Sequence, residues 1–161
     1  MSERFSWIIP NRLAVGSFPT HSYKISYLSR VGITSVLSLT EPEEISVPQE
    51  VYNRFVCRNV AIPDGARGGV PTVEQFQQSC AILSRWHQKG HVTYVHCLAG
   101  VGRSPSVCIA YLTQVEGISL QEAIGKVQER HPPTYPDSAQ IDVLQEFLAL
   151  SQKEKAKTNV K

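Results

Sequence analysis

The segment Val107-Cys108-Ile109-Ala110-Tyr111-Leu112 is apolar at every position. As a helix it has no polar face to offer water, so protein must enclose it on every side. Immediately upstream, Thr93–His96 reads as a short buried strand. A strand running straight into an enclosed central helix is the junction around which the rest of this chain has to be arranged.

The other segments supply what surrounds it. Leu13–Val15, Ser35–Leu39 and Phe55–Val60 are rich in β-branched or aromatic residues and bounded by turn formers, which predicts strands. Ser22–Val31 is helix-like, with Ile25 and Leu28 on one face and Gly32 at its end. Thr72 to Lys89 is the clearest amphipathic helix. Thr72 and Gln75 form a capping box, and Val73, Phe76, Cys80 and Leu83 share a face. Ser119 and Glu122 repeat that box ahead of Leu120, Ala123, Ile124 and Val127. A last helix starts near Ser138 and is expected to bury Ile141, Leu144 and Leu148. Strands alternating with helices predict an α/β fold, a central and mostly parallel sheet flanked by helices.

A chain of 161 residues with 42% hydrophobic residues suits one domain, here residues 1–150. Residues 151–161 carry Lys153, Lys155, Lys157 and Lys161 and read as a basic tail, frayed helix and then disorder. The formal charge of +2 is too small to argue for a nucleic-acid groove or an anionic membrane surface. No apolar run approaches the roughly 18 residues of a membrane helix, so membrane insertion is not expected. Met1-Ser2-Glu3-Arg4 does not open a signal peptide. Cys57, Cys80 and Cys108 read as packing thiols, too sparse for a disulfide scaffold. The expectation is a cytoplasmic monomer with free thiols.

Between strand and helix stands His96-Cys97-Leu98-Ala99-Gly100-Val101-Gly102-Arg103-Ser104-Pro105. A turn of this length closing onto a helix N-terminus can aim several backbone N–H groups inward as an anion nest, here from Leu98, Ala99, Gly100, Val101, Gly102 and Arg103. Gly100 and Gly102 allow close backbone approach, and Pro105 suits the first helical turn. Cys97 at the base of the nest feels the amide dipoles and the Arg103 charge, which favour its thiolate. Arg103 offers a planar fork for two oxygens of a tetrahedral dianion. The Ser104 hydroxyl is placed to bond the sulfur and ease its departure. A nucleophile, an anion cradle and a fixed cation together predict phosphoryl transfer through a thiophosphate. By background composition, Cys-x5-Arg-[Ser/Thr] arises by chance on the order of once per hundred chains of this length.

This loop resembles the signature of the cysteine-dependent protein tyrosine phosphatases. Phe5–Pro10, Arg12-Leu13-Ala14 and Gly32-Ile33 leading into Val36-Leu37-Ser38-Leu39-Thr40-Glu41 are similar to the small atypical dual-specificity phosphatases. The resemblance implies a phosphomonoester hydrolase that uses neither metal nor organic cofactor and acts on a phosphorylated protein or peptide. It also implies an Asp general acid, which Ile62-Pro63-Asp64-Gly65 matches. Asp64 alone also fits a common Pro-Asp-Gly turn. Ala66-Arg67-Gly68-Gly69 beside it suggests a mobile loop able to close over substrate. His96 is expected to support the loop, or simply to pack beneath it. Gln140 resembles a pocket Gln that helps place the hydrolytic water, and it equally fits a helix-start capping box. Glu41, Glu43 and Glu44 read as a solvated turn around Pro42, with a loop bordering the pocket as the alternative, and Arg67 and Arg130 read as surface charges, with substrate-side cations as the alternative.

Three other classes compete. A nucleotide P-loop fails because no Lys precedes Ser104. Zinc binding by Cys57, Cys80, His96 and Cys97 lacks paired short spacings. A phosphopeptide-binding module without turnover would be expected to lack one of Cys97, Arg103, Ser104 or Asp64, and all four are present. Among substrates, apolar Leu98, Ala99 and Val101 argue against polyphosphorylated inositol headgroups. Ile141–Phe147 resembles the C-terminal helix of mitochondrial lipid-directed relatives, which keeps a phosphatidylglycerophosphate-like lipid as the alternative.

Overall fold

The structure, a computed structural model, describes residues 4–159. Five strands form one sheet: β1 (Phe5–Ile9), β2 (Leu13–Gly16), β3 (Ser35–Ser38), β4 (Val56–Asn59) and β5 (Thr93–His96). Their order is β1-β2-β5-β3-β4, with β1 antiparallel to β2 and every other pair parallel. The helices are α1 (Ser22–Arg30), α2 (Gln49–Arg54), α3 (Val73–Gln88), α4 (Arg103–Glu116), α5 (Leu120–Arg130) and α6 (Ser138–Asn159).

Strand alternation divides the core in two. Ala14, Val36 and Tyr94 face α1 and α2, where Ile25, Leu28, Val51 and Phe55 complete a smaller cluster. Leu13, Val15, Leu37 and Val95 face the larger cluster under α3 to α6. In α4 every residue from Arg103 to Thr113 is buried, so the apolar segment is indeed enclosed. The predicted strands and helix starts recur: Thr72 and Gln75 bond reciprocally, and Ser119 accepts from the Glu122 N–H.

Three expectations change. On α6 the buried face is Gln140, Val143, Leu144 and Phe147, with Ile141 and Leu148 only half-buried. The apolar stripe shares Leu144 with the predicted one and is rotated from it by about a quarter of a turn. Residues 151–159 continue α6 as an exposed helix, so the helical part of the expected frayed tail reaches Asn159. Lys, Glu and Ala are strong helix formers, so charge there marks a solvated helix face; residues 160–161 lie outside the described residues. Strand β1 and the short α2 had been given no element.

Among the described residues, no helix is long and apolar enough to cross a membrane. Cys80 and Cys108 are buried and Cys57 is half-buried, all free thiols.

Candidate active site

The parallel strands β3 and β5 lie side by side, so the loops leaving their C-terminal ends converge. Strand β5 delivers Cys97 and the loop to Gly102, after which α4 begins with Arg103. All six carbonyls from Cys97 to Gly102 bond outward. Cys97 O accepts from His96 Nδ1 at 3.0 Å. Leu98 O accepts from Phe18 N at 3.0 Å and Val101 O from Tyr135 N at 2.8 Å. Ala99 O accepts from Arg4 Nη1 at 2.7 Å, and Gly100 O from His131 Nε2 at 2.7 Å. Gly102 O accepts from Ser106 N at 3.0 Å. In a trans peptide the N–H points opposite to the carbonyl, and no peptide described here is cis. Outward carbonyls therefore turn the amides of residues 98 to 103 inward, which is the nest that the sequence predicts.

Cys97 sits at its floor, 3% exposed. Its Sγ lies 3.2 Å from Ser104 Oγ and accepts the Gly100 N–H at 3.3 Å. Gly100 has φ +73°, and a Cβ there would stand 2.7 Å from the Gly16 backbone, so only glycine fits. His96 is fully buried. Its Nδ1 faces a carbonyl and must carry the proton, leaving Nε2 to accept from the Ser38 hydroxyl at 2.7 Å. Burial pushes its pKa down to about 4, so the ring is neutral and supports the loop.

Arg103, 4% exposed, is held from behind. Nη1 donates to Ile62 O at 2.9 Å and to Glu44 Oε2 at 2.8 Å, while Nη2 reaches Glu44 Oε1 at 2.6 Å. Glu44 thus corrects the sequence reading. Glu43 is exposed as expected, but the Glu44 side chain is only 5% exposed. Its hydrogen bond to Arg103 holds its carboxyl below the usual range, against the opposing effect of burial. A buried guanidinium requires a partner, and the loop after β3, next to β5, was the place to seek one.

Asp64 caps a 3-10 turn, Gly65–Arg67, by accepting the Ala66 N–H at 3.1 Å. Its carbonyl receives Arg67 N and Gly69 N at 3.1 and 2.9 Å. Oδ2 stands 3.8 Å from Arg103 Nη2, and the side chain is 22% exposed. Asp64 makes the turn and also lines the cavity beside Arg103. The segment expected as a mobile lid is a hydrogen-bonded turn already against the pocket.

A cavity of about 480 Å³ opens above the sulfur, lined by the loop, Asp64, Ala66 and three residues at the start of α6 or just before it: Tyr135, Asp137 and Gln140. Asp137 and Gln140 cap each other, N–H to side chain in both directions, at 2.9 and 2.7 Å. The Gln140 amide fills the space between two glycines. A Cβ on Gly102 would meet it at 2.9 Å, and one on Gly65 would stand 3.4 Å from it and collide with Asp137 Oδ2. Gln140 therefore both caps α6 and lines the cavity. Arg67 is exposed, and Arg130 bonds the Ile8 carbonyl, away from the cavity. Tyr135, His131 and Arg4 were not singled out as site residues from sequence, because each comes from a segment remote from the loop.

An enclosed thiol under an inward ring of amides, on a mostly parallel sheet, defines a cysteine-based phosphate-handling α/β domain. Residues 13–149 match the family described as dual specificity phosphatase, catalytic domain. The chain belongs to this family, within the cysteine-dependent protein tyrosine phosphatase superfamily. Phosphatidylglycerophosphate phosphatase PTPMT2 of Arabidopsis thaliana is 27% identical, over 93% of this chain and 66% of the relative. Dual specificity protein phosphatase 22-B of Danio rerio is 32% identical, over 74% of this chain and 62% of the relative. The chain thus spans less than two thirds of these relatives' length. The crystal structure of Tk-PTP in the active form superposes with a TM-score of 0.81 at 26% identity, covering 90% of this chain and 96% of that one.

Proposed function

We propose that the protein hydrolyses phosphomonoesters through a cysteinyl-phosphate intermediate, acting first on phosphotyrosine in proteins or peptides and second on phosphoserine or phosphothreonine. The observation that carries this reading is the Cys97 sulfur at the floor of six inward amides beside a buried arginine. Cys97 Sγ attacks phosphorus, and the P–O bond to the leaving group breaks as Asp64 gives that oxygen a proton. The loop amides, with the Nε hydrogen and the one remaining Nη2 hydrogen of Arg103, hold the three equatorial oxygens. Water then attacks the thiophosphate, Asp64 takes its proton, and the P–S bond breaks with the Ser104 hydroxyl steadying the departing sulfur. Gln140, beside Gly102, is suited to orient that water. Every proton and electron pair is accounted for by these groups without metal or cofactor.

A cytoplasmic monomer is the form proposed for it, the four free thiols agreeing with a reducing compartment. A second reading, hydrolysis of a single phosphomonoester on a lipid, is favoured by the likeness to PTPMT2 and to the human phosphatidylglycerophosphatase and protein-tyrosine phosphatase 1, 25% identical over 83% of this chain. Phosphate release from a phosphotyrosine peptide, a phosphoserine peptide and phosphatidylglycerophosphate, with unsubstituted protein and Cys97→Ser, separates the readings. Cys97-dependent turnover fastest on phosphotyrosine is the expected result. Lipid preference replaces it with the second reading, and phosphopeptide binding without any turnover makes the domain a binding module.

A further inference from the structure

The six outward carbonyls are not anchored alike. At Leu98, Val101 and Gly102 a donor is main-chain, from Phe18, Tyr135 and Ser106, and no side-chain substitution removes it. At Ala99 and Gly100, the middle of the loop, the donors are side chains from distant segments: Arg4, just before β1, and His131, which ends α5. We infer that Arg4 and His131 are positioning residues, which hold two consecutive peptides of the loop so that the Gly100 and Val101 N–H groups face the sulfur and the substrate phosphate.

The geometry at each is specific. Neither residue lines the cavity. The charged Arg4 donor sits on the carbonyl of the same peptide whose N–H, that of Gly100, reaches Cys97 Sγ at 3.3 Å. A cation on one end of a peptide strengthens the donor at the other, since hydrogen bonds in a chain polarise one another. His131 is 1% exposed. Gly100 O can only accept, so Nε2 carries the proton, and Nδ1 accepts from the Ser6 hydroxyl at 2.7 Å. Burial, with the nearby Arg4 charge adding to it, holds the ring below its ordinary pKa and keeps this tautomer neutral. The anchors matter at this place because Gly100 is the residue whose backbone turns most freely. Released, its peptide can rotate and present a carbonyl dipole to the bound dianion.

This role in turnover rests on the phosphatase reading, so the test separates the two. Inorganic phosphate binding is measured by calorimetry in a Cys97→Ser background, and kcat/KM on an aryl phosphate with Cys97 intact. His131→Leu and Arg4→Met are each expected to weaken phosphate binding and kcat/KM about tenfold, the loss of one anchoring bond at a buried carbonyl. His131→Gln, whose amide can donate to Gly100 O and accept from Ser6, and Arg4→Lys are expected to restore most of that loss. Phosphate affinity unchanged in His131→Leu and Arg4→Met overturns the inference, and so does an equal loss in the conservative variants. Where His131→Leu does not fold, the Arg4 pair decides alone. If unsubstituted protein shows no Cys97-dependent turnover but phosphate binding still follows this pattern, the phosphatase reading fails and the anchoring stands.

Discussion

Two carboxylates approach Arg103 from two loops, and they are held in opposite ways. Glu44, on the loop after β3, grips both terminal nitrogens at 2.6 and 2.8 Å and is 5% exposed. Asp64, on the loop after β4, stands 3.8 Å away, is 22% exposed, and faces the cavity. One is spent on orienting the guanidinium; the other is left with an oxygen free to exchange a proton. A carboxylate locked into a bidentate pair is a poor proton carrier, because moving its proton disrupts the pair. The contrast assigns the two loops different work although both present an acid to the same arginine.

The largest effect should come from Asp64→Asn. Steady-state kinetics should show kcat/KM falling about a hundredfold on an alkyl phosphate and far less on an aryl phosphate with a good leaving group. Equal losses on both substrates would take the acid role away from Asp64. Glu44→Gln should cost about tenfold, by the same factor on both substrates, because it acts through the aim of Arg103 and not through the leaving group. A strong leaving-group dependence in that variant would erase the distinction between the loops.

The smallest effect is on stability. The folded pKa of Glu44 is lowered, so its contribution is present above the ordinary Glu value of 4.5 and is lost as pH falls through the folded value. Thermal melts should therefore show Glu44→Gln below the unsubstituted protein by about 1–3 kcal/mol near neutral pH, the gap closing in acid. A gap that persists at pH values where Glu44 is protonated would mean that packing, not the ion pair, is what the carboxylate supplies.

Much of this could be read along the chain because it is local along the chain. The Cys97–Ser104 loop, the two capping boxes and the enclosed α4 are each specified by neighbours within one turn or one strand. Asp64 was singled out because its turn signal and the acid that the resemblance calls for fall on the same residue. Glu44 was misread since a charge beside Pro42 resembles a solvated turn, and only the adjacency of β3 and β5 reveals the arginine waiting for it. Arg4 and His131 were missed for the same reason: a side chain that anchors a loop more than thirty or ninety positions away leaves no period in the sequence. On α6 the expected frayed helix runs on to Asn159, with its lysines on a solvated face.

The Gln140 amide, wedged between Gly65 and Gly102, ties two distant positions into one. A methyl group added to Gly102 presses on that amide, and one added to Gly65 collides with Asp137, whose side chain and backbone the amide's residue caps, so both glycines are constrained by the same helix start. Adaptation of this scaffold to a new substrate is thereby steered away from the gap between the loops. The freedom to diversify lies instead at the rim, where Tyr135, 75% exposed, and the exposed Ala66 can change without disturbing that spacing.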